Sequence, residues 1–183
     1  SYDLSILTGQ ASLALRKCSK PVIAMVNGAA AGAGCGIALG ADFRIMTEES
    51  CLLTAFSSVG LPGDTGCIYH LKQIVGLAKT IELMALSPRI YGKEALQLGL
   101  ATRLAPDGKL AEETHAFAAK LLHRPLGALA MQKQLYYEVF YRDYMAYSRL
   151  EAENLARAGA SADHREAVTA FLEGRKPQFN QKN

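Results

Sequence analysis

The segment that most restricts the fold of this chain is Val22-Ile23-Ala24-Met25-Val26, followed within two residues by the small-residue run Gly28-Ala29-Ala30-Ala31-Gly32-Ala33-Gly34-Cys35-Gly36. A short, continuous, β-branched stretch bounded by Pro21 and Asn27-Gly28 reads as a strand buried on both faces. The run that follows leads into Ile37-Ala38-Leu39, the start of a helix. Small side chains allow close approach to the backbone, and the first N–H groups of a helix lack internal partners beside the positive end of its dipole. Such a turn can stabilise an oxyanion or simply allow a helix to pack tightly on a strand. Phosphate cradling is excluded by the pattern: Ile37 stands where a dinucleotide fingerprint needs Gly or Ala, and no G-x-x-x-x-G-K-[ST] occurs.

Around this centre the chain divides into two parts. Apolar residues at Leu4, Leu7, Ala11 and Leu15 predict a helix over residues 3–17, ended by Lys20-Pro21. Residues 43–47 and 52–56 read as further strands, 67–86 and 92–98 as helices, and 101–104 as a short strand. From 109 onward the pattern is helical, with segments at 109–122, 126–141 and 144–158 and a last helix opened by Asp163-x-x-Glu166, which has capping-box spacing. The expected organisation is an α/β core over 1–107 and a helical region over 108–183, without a Pro/Ser-rich linker between them.

Composition narrows the function classes. With 183 residues, 50% hydrophobic, and a net charge of +3 with no basic block, the chain predicts a soluble globular protein that binds neither nucleic acid nor a membrane. Cys18, Cys35, Cys51 and Cys67 are widely spaced, which predicts buried free thiols in a reducing compartment. The four histidines show no ligand spacing, so no metal site is expected.

Lys20 to Gly34, Ala41-Asp42, Ala55-Phe56-Ser57-Ser58-Val59-Gly60-Leu61, Glu94 to Leu100 and the tail Ser161 to Leu172 together resemble the crotonase (enoyl-CoA hydratase/isomerase) superfamily over nearly the whole chain. The resemblance implies a ββα-spiral core with a C-terminal helical trimerisation region, assembling as a homotrimer or hexamer. It also implies an acyl-CoA substrate, no separate cofactor, and a thioester enolate held by backbone N–H groups. A cytoplasmic location follows, or a mitochondrial or peroxisomal matrix in a eukaryote. Carried over by position, one oxyanion donor falls on the N–H of Ala33, with Gly32, Gly36, Ala55, Phe56, Val59 and Leu61 around the substrate. Arg175 and Lys176 fall where the family's tail often meets CoA phosphates.

Two departures shape the expected chemistry. Typical hydratases of the family carry glutamates where this chain has Gly36 and Phe56, so neither water-activating carboxylate is present. Asp64, in Val59-Gly60-Leu61-Pro62-Gly63-Asp64-Thr65-Gly66, matches an Asp of the phenylacetate-pathway ring-1,2-epoxyphenylacetyl-CoA isomerase branch, whose tail this chain also resembles. Without the family, Asp64 reads as the N-cap of the helix that follows. With it, Asp64 is the single base of an isomerase, moving a proton in double-bond or ring-epoxide isomerisation. Hydratase-like or thioesterase chemistry on the same scaffold is the alternative, as is a non-catalytic assembly protein. Family members begin upstream of Ser1, so the sequence is expected to lack the family's N-terminal part, with strand 22–26 short of sheet neighbours on one side and weak or no activity alone.

Overall fold

The computed structural model describes residues 2–180. The chain opens with helix α1 (Tyr2–Lys17), whose Asp3 in the first turn and Arg16 and Lys17 in the last complement the helix dipole. Two strands and a helix follow, β1 (Ile23–Val26), β2 (Ala29–Ala31) and α2 (Ala33–Gly40). The same order recurs in β3 (Phe43–Met46), β4 (Cys51–Leu53) and α3 (Cys67–Leu86), and a third round changes it to strand, helix, strand in β5 (Ile90–Tyr91), α4 (Gly92–Gln97) and β6 (Arg103–Leu104). Each round gives one strand to each of two sheets, ordered β1-β3-β6 and β2-β4-β5. Strand β1 runs parallel to β3 with Ile23 opposite Phe43, and β2 runs parallel to β4 with Ala29 opposite Cys51. The chain therefore climbs as a ββα spiral, and the main core, including Leu39, Met46, Leu52, Leu71, Leu83 and Leu100, fills its interior.

Three local expectations are corrected. Strand β1 is not buried on both faces: Met25 is exposed and Ile23 and Ala24 are half-buried, because β3 is its one sheet neighbour among the described residues. Helix α1 forms where its leucines predict it, yet that stripe faces outward, with Leu4 63% and Leu7 60% exposed. The buried face is Ser5, Gly9, Ser12 and Leu13. A narrow seam with α7 (Tyr144–Gly159) accounts for this, since a Cβ on Gly9 would lie 2.6 Å from Ser148 Oγ. The seam admits small residues and satisfies the Ser12 hydroxyl, whose Oγ lies 2.7 Å from Tyr144 Oη and 3.1 Å from His70 Nε2, whereas the Ser148 Oγ is buried without a partner among the described residues. Third, Cys35, Cys51 and Cys67 are buried free thiols, whereas Cys18, in the turn after α1, is exposed.

The helical region comprises α5 (Leu110–Leu122), α6 (Leu126–Phe140), α7 and α8 (Ala162–Leu172). The cap of α8 differs from the expected capping box. Ser161 is the N-cap and accepts the N–H of His164 at 3.1 Å, Asp163 sits in the first turn, and Glu166 is turned to Arg175.

A charged cluster ties α6 to the start of the core. Asp42 accepts the Val22 N–H at 2.7 Å and the Lys133 ammonium at 2.6 Å, with Arg16 at 3.5 Å. Lys133 also donates to the carbonyls of Leu15 and Lys20 at 3.0 and 2.9 Å. Beneath it, Arg44 is pushed down to about 10 by burial and by Arg16. Burial, with Arg16 and Arg44 nearby, lowers His70 to about 3, so its imidazole is neutral in the core. Among the described residues no helix is long and apolar enough to cross a membrane.

Candidate active site

Helix α2 begins at Ala33 after Gly32, which takes a positive φ of 54° and donates its N–H to Leu53 O at 2.9 Å. Gly32 O accepts the N–H of Gly36 at 3.1 Å, so the N–H groups of Ala33 and Gly34 precede the first intrahelical bond. Ala33 and Gly34 are both exposed, and the turn therefore presents donors at the surface. Below it lies the ring of Phe56, buried and 3.8 Å from where a Cβ on Gly32 would stand. Ala55, at a positive φ of 61°, makes the turn out of β4 that delivers this ring.

The other expected wall residues diverge from that turn. Val59 ends a 3₁₀ turn (Ser57–Val59) and its carbonyl is 2.7 Å from His164 Nδ1, which anchors it to the start of α8. Leu61 packs against the main core.

Position 36 is closed. A Cβ there would fall 2.9 Å from both the Cβ and the carbonyl oxygen of Thr65. Thr65 is itself unusual, a buried β-branched residue at φ 60°, followed by Gly66 at φ 71°. Consecutive left-handed residues turn the loop sharply against α2. Gly36→Glu is expected to destabilise the protein by about 1–3 kcal/mol through overpacking, without creating hydratase activity. A thermal melt and a water-addition assay check this, and Thr65→Gly in the same chain should recover part of the stability.

The same turn sends the Asp64 side chain toward α1. Its Oδ1 accepts from Ser5 Oγ at 2.8 Å, Thr8 Oγ1 at 3.0 Å and the Thr65 N–H at 2.7 Å. Asp64 is thus not a helix cap: the N-cap of α3 is Gly66, and the Asp64 group facing the helix is its main-chain carbonyl, 3.1 Å from Cys67 N.

A second carboxylate holds the loop from the opposite side. Glu151 on α7 accepts the Gly66 N–H at 2.9 Å and the Tyr147 hydroxyl at 2.5 Å. Burial raises its pKa against the effect of these bonds, and the nearby Asp64 adds to the rise. Glu151 lines a cavity of about 170 Å³ with Pro62, Gly63, Ile68 and Tyr147. Sequence reading missed Glu151: Tyr147 and Glu151 are an i,i+4 pair on a helix, but their loop partner is 85 positions away. A hydrogen bond with Cys35 and burial push the thiol of Cys67, the first residue of α3, up as well. At the tail, Arg175 donates to Glu166 at 2.5 and 3.0 Å and to Glu173 at 2.6 Å, so its guanidinium is engaged within the chain, while Lys176 is exposed.

A two-sheet spiral whose second helix opens on a glycine turn, followed by a helical region, defines an α/β domain of the crotonase type. The comparisons agree: the enoyl-CoA hydratase/isomerase family model matches residues 7–182. An enoyl-CoA hydratase from Mycobacterium avium subsp. paratuberculosis K-10 superposes with a TM-score of 0.92 at 29% identity, covering 99% of this chain and 74% of that one. A probable enoyl-CoA hydratase from Rhodobacter capsulatus is 37% identical over 166 residues, 91% of this chain and 65% of the relative. The 1,2-epoxyphenylacetyl-CoA isomerase of Escherichia coli is 36% identical over 168 residues, 92% of this chain and 64% of the relative. This chain belongs to the enoyl-CoA hydratase/isomerase family. It spans just under two thirds of the length of these two relatives.

Proposed function

We propose that the protein is an acyl-CoA isomerase in which Asp64 is the single base and the Ala33 N–H supports the thioester oxygen. The observation that carries this reading is the pairing of an anchored Asp64 carboxylate with a position 36 closed by Thr65. Hydration calls for carboxylates that position and activate water, and positions 36 and 56 hold Gly and Phe. A proton shift needs one. In a 3-enoyl thioester, Asp64 takes a proton from the carbon next to the carbonyl, and the C–H electron pair passes into the thioester, whose oxygen becomes an enolate at the N-terminus of α2. Reprotonation two carbons away restores the carbonyl and leaves the double bond conjugated. The thioester is itself the electron sink, so the reading calls for no cofactor, and Phe56 beneath Gly32 makes the floor of the oxyanion turn apolar. The name of the Escherichia coli relative extends the candidate substrates to ring-epoxide acyl-CoAs.

A hydratase is the second reading, favoured by the name of the Rhodobacter capsulatus relative. Incubation of the purified protein in D₂O with a 3-enoyl-CoA and, separately, a 2-enoyl-CoA separates the two by mass. Isomerisation gives a product of unchanged formula carrying exchanged deuterium, whereas a product with one added water overturns the isomerase reading. Self-association as a trimer, or as trimers paired into hexamers, belongs to the same proposal. The exposed apolar side chains Met131, Leu135 and Val139 on α6 and Phe171 and Leu172 at the end of α8 support it.

A further inference from the structure

Three donors converge on one oxygen of Asp64. Ser5 and Thr8, one turn apart on α1, and the Thr65 N–H all reach Oδ1, at 2.8, 3.0 and 2.7 Å. A carboxylate is symmetric in solution and offers either oxygen to a proton. Here the two oxygens are made unequal: among the described residues the three hydrogen bonds to the carboxylate all fall on Oδ1, which makes Oδ2 the more basic position. Ser5 is 1% exposed, so water is shut out from its hydroxyl and the bond to Asp64 meets its need for a partner. Thr8 Oγ1 has a single hydrogen and two acceptors in reach, Asp64 Oδ1 and the Ser5 carbonyl, both at 3.0 Å. As Asp64 takes up a proton and loses its charge, that hydrogen has a neutral acceptor to turn to.

We infer that Ser5 and Thr8 are positioning residues that fix the Asp64 carboxylate by Oδ1 and aim Oδ2 at the proton to be moved. This rests on the reading of Asp64 as the base. Both act through Asp64, and both lie on a helix whose leucine pattern points elsewhere.

The test is the Ser5→Ala/Thr8→Val variant, assayed with a 3-enoyl-CoA beside Asp64→Asn. Loss of a fixed orientation should lower kcat roughly 10- to 100-fold with KM unchanged, and Thr8→Ser, which keeps the hydroxyl, should recover most of the loss relative to Thr8→Val. An inactive Asp64→Asn with a fully active double variant overturns the positioning role alone. A fully active Asp64→Asn overturns the base reading on which it rests. A crystal structure of the double variant gives a readout independent of turnover: the Asp64 carboxylate should rotate or occupy more than one orientation, and an unmoved carboxylate overturns the inference. Should the double variant fail to fold, Thr8→Val alone carries both measurements, since it keeps the shape of the side chain.

Discussion

Asp64→Asn is expected to lower the isomerisation rate by roughly 10²–10⁴-fold, the contribution of a positioned general base, with the fold left in place. Asparagine matches aspartate in shape. Its carbonyl oxygen at the Oδ1 position can accept from Ser5, Thr8 and the Thr65 N–H as the carboxylate does. Its amide nitrogen, standing at Oδ2, has no basic lone pair. The substitution therefore removes proton uptake while keeping the loop's anchor to α1, and the loss should fall on kcat. Circular dichroism and a melting curve like those of the unchanged protein complete the expected result. Full activity in this variant would remove Asp64 from the chemistry.

Lys133→Met is expected to have the largest effect on stability, about 3 kcal/mol, against a total of roughly 5–15 kcal/mol for a domain of this kind. Methionine preserves most of the aliphatic stem but leaves Asp42, half-buried beside it, without its shortest ionic contact. The carbonyls of Leu15 and Lys20 lose their donor as well. The figure sits at the low end for a broken buried pair because Asp42 is half-buried, and Arg16 and the Val22 N–H still face it. Urea denaturation reads it as a lower midpoint at unchanged slope. Adding Asp42→Leu should cost less than the sum of the single changes, since the pair would then be removed together. A midpoint that does not move with Lys133→Met would show that the cluster contributes nothing to holding α6.

The contrast between these two sites shows which interactions a sequence exposes. Strand β1, the glycine turn and the start of α2 are local, set by residues 22–40, and periodicity with small-residue spacing locates them directly. The boundaries of α5, α6 and α7 follow in the same way from helical spacing. Asp64 stands out because an acid in a Leu-Pro-Gly turn is conspicuous, but its partners Ser5 and Thr8 do not. A hydroxyl on a helix marked by leucines reads as the solvent side, whereas here close packing of α1 on α7 turns the hydroxyls inward and the leucines out. Glu151 is hidden for the same reason, since only the three-dimensional path brings α7 against Gly66. The closure of position 36 is equally illegible, because it depends on the left-handed geometry that brings the Thr65 side chain and carbonyl against α2.

The meeting of Gly9 with Ser148 gives the seam a further meaning. Ser5 lies one turn before Gly9, and Ser5 is what grips Asp64. The spacing between two helices thus acts as a ruler for the direction of a lone pair several residues away. A methyl group inserted at Gly9 would wedge α1 from α7 and carry Ser5 and Thr8 off with it. A defect made there would look catalytic in an assay and mechanical in its origin.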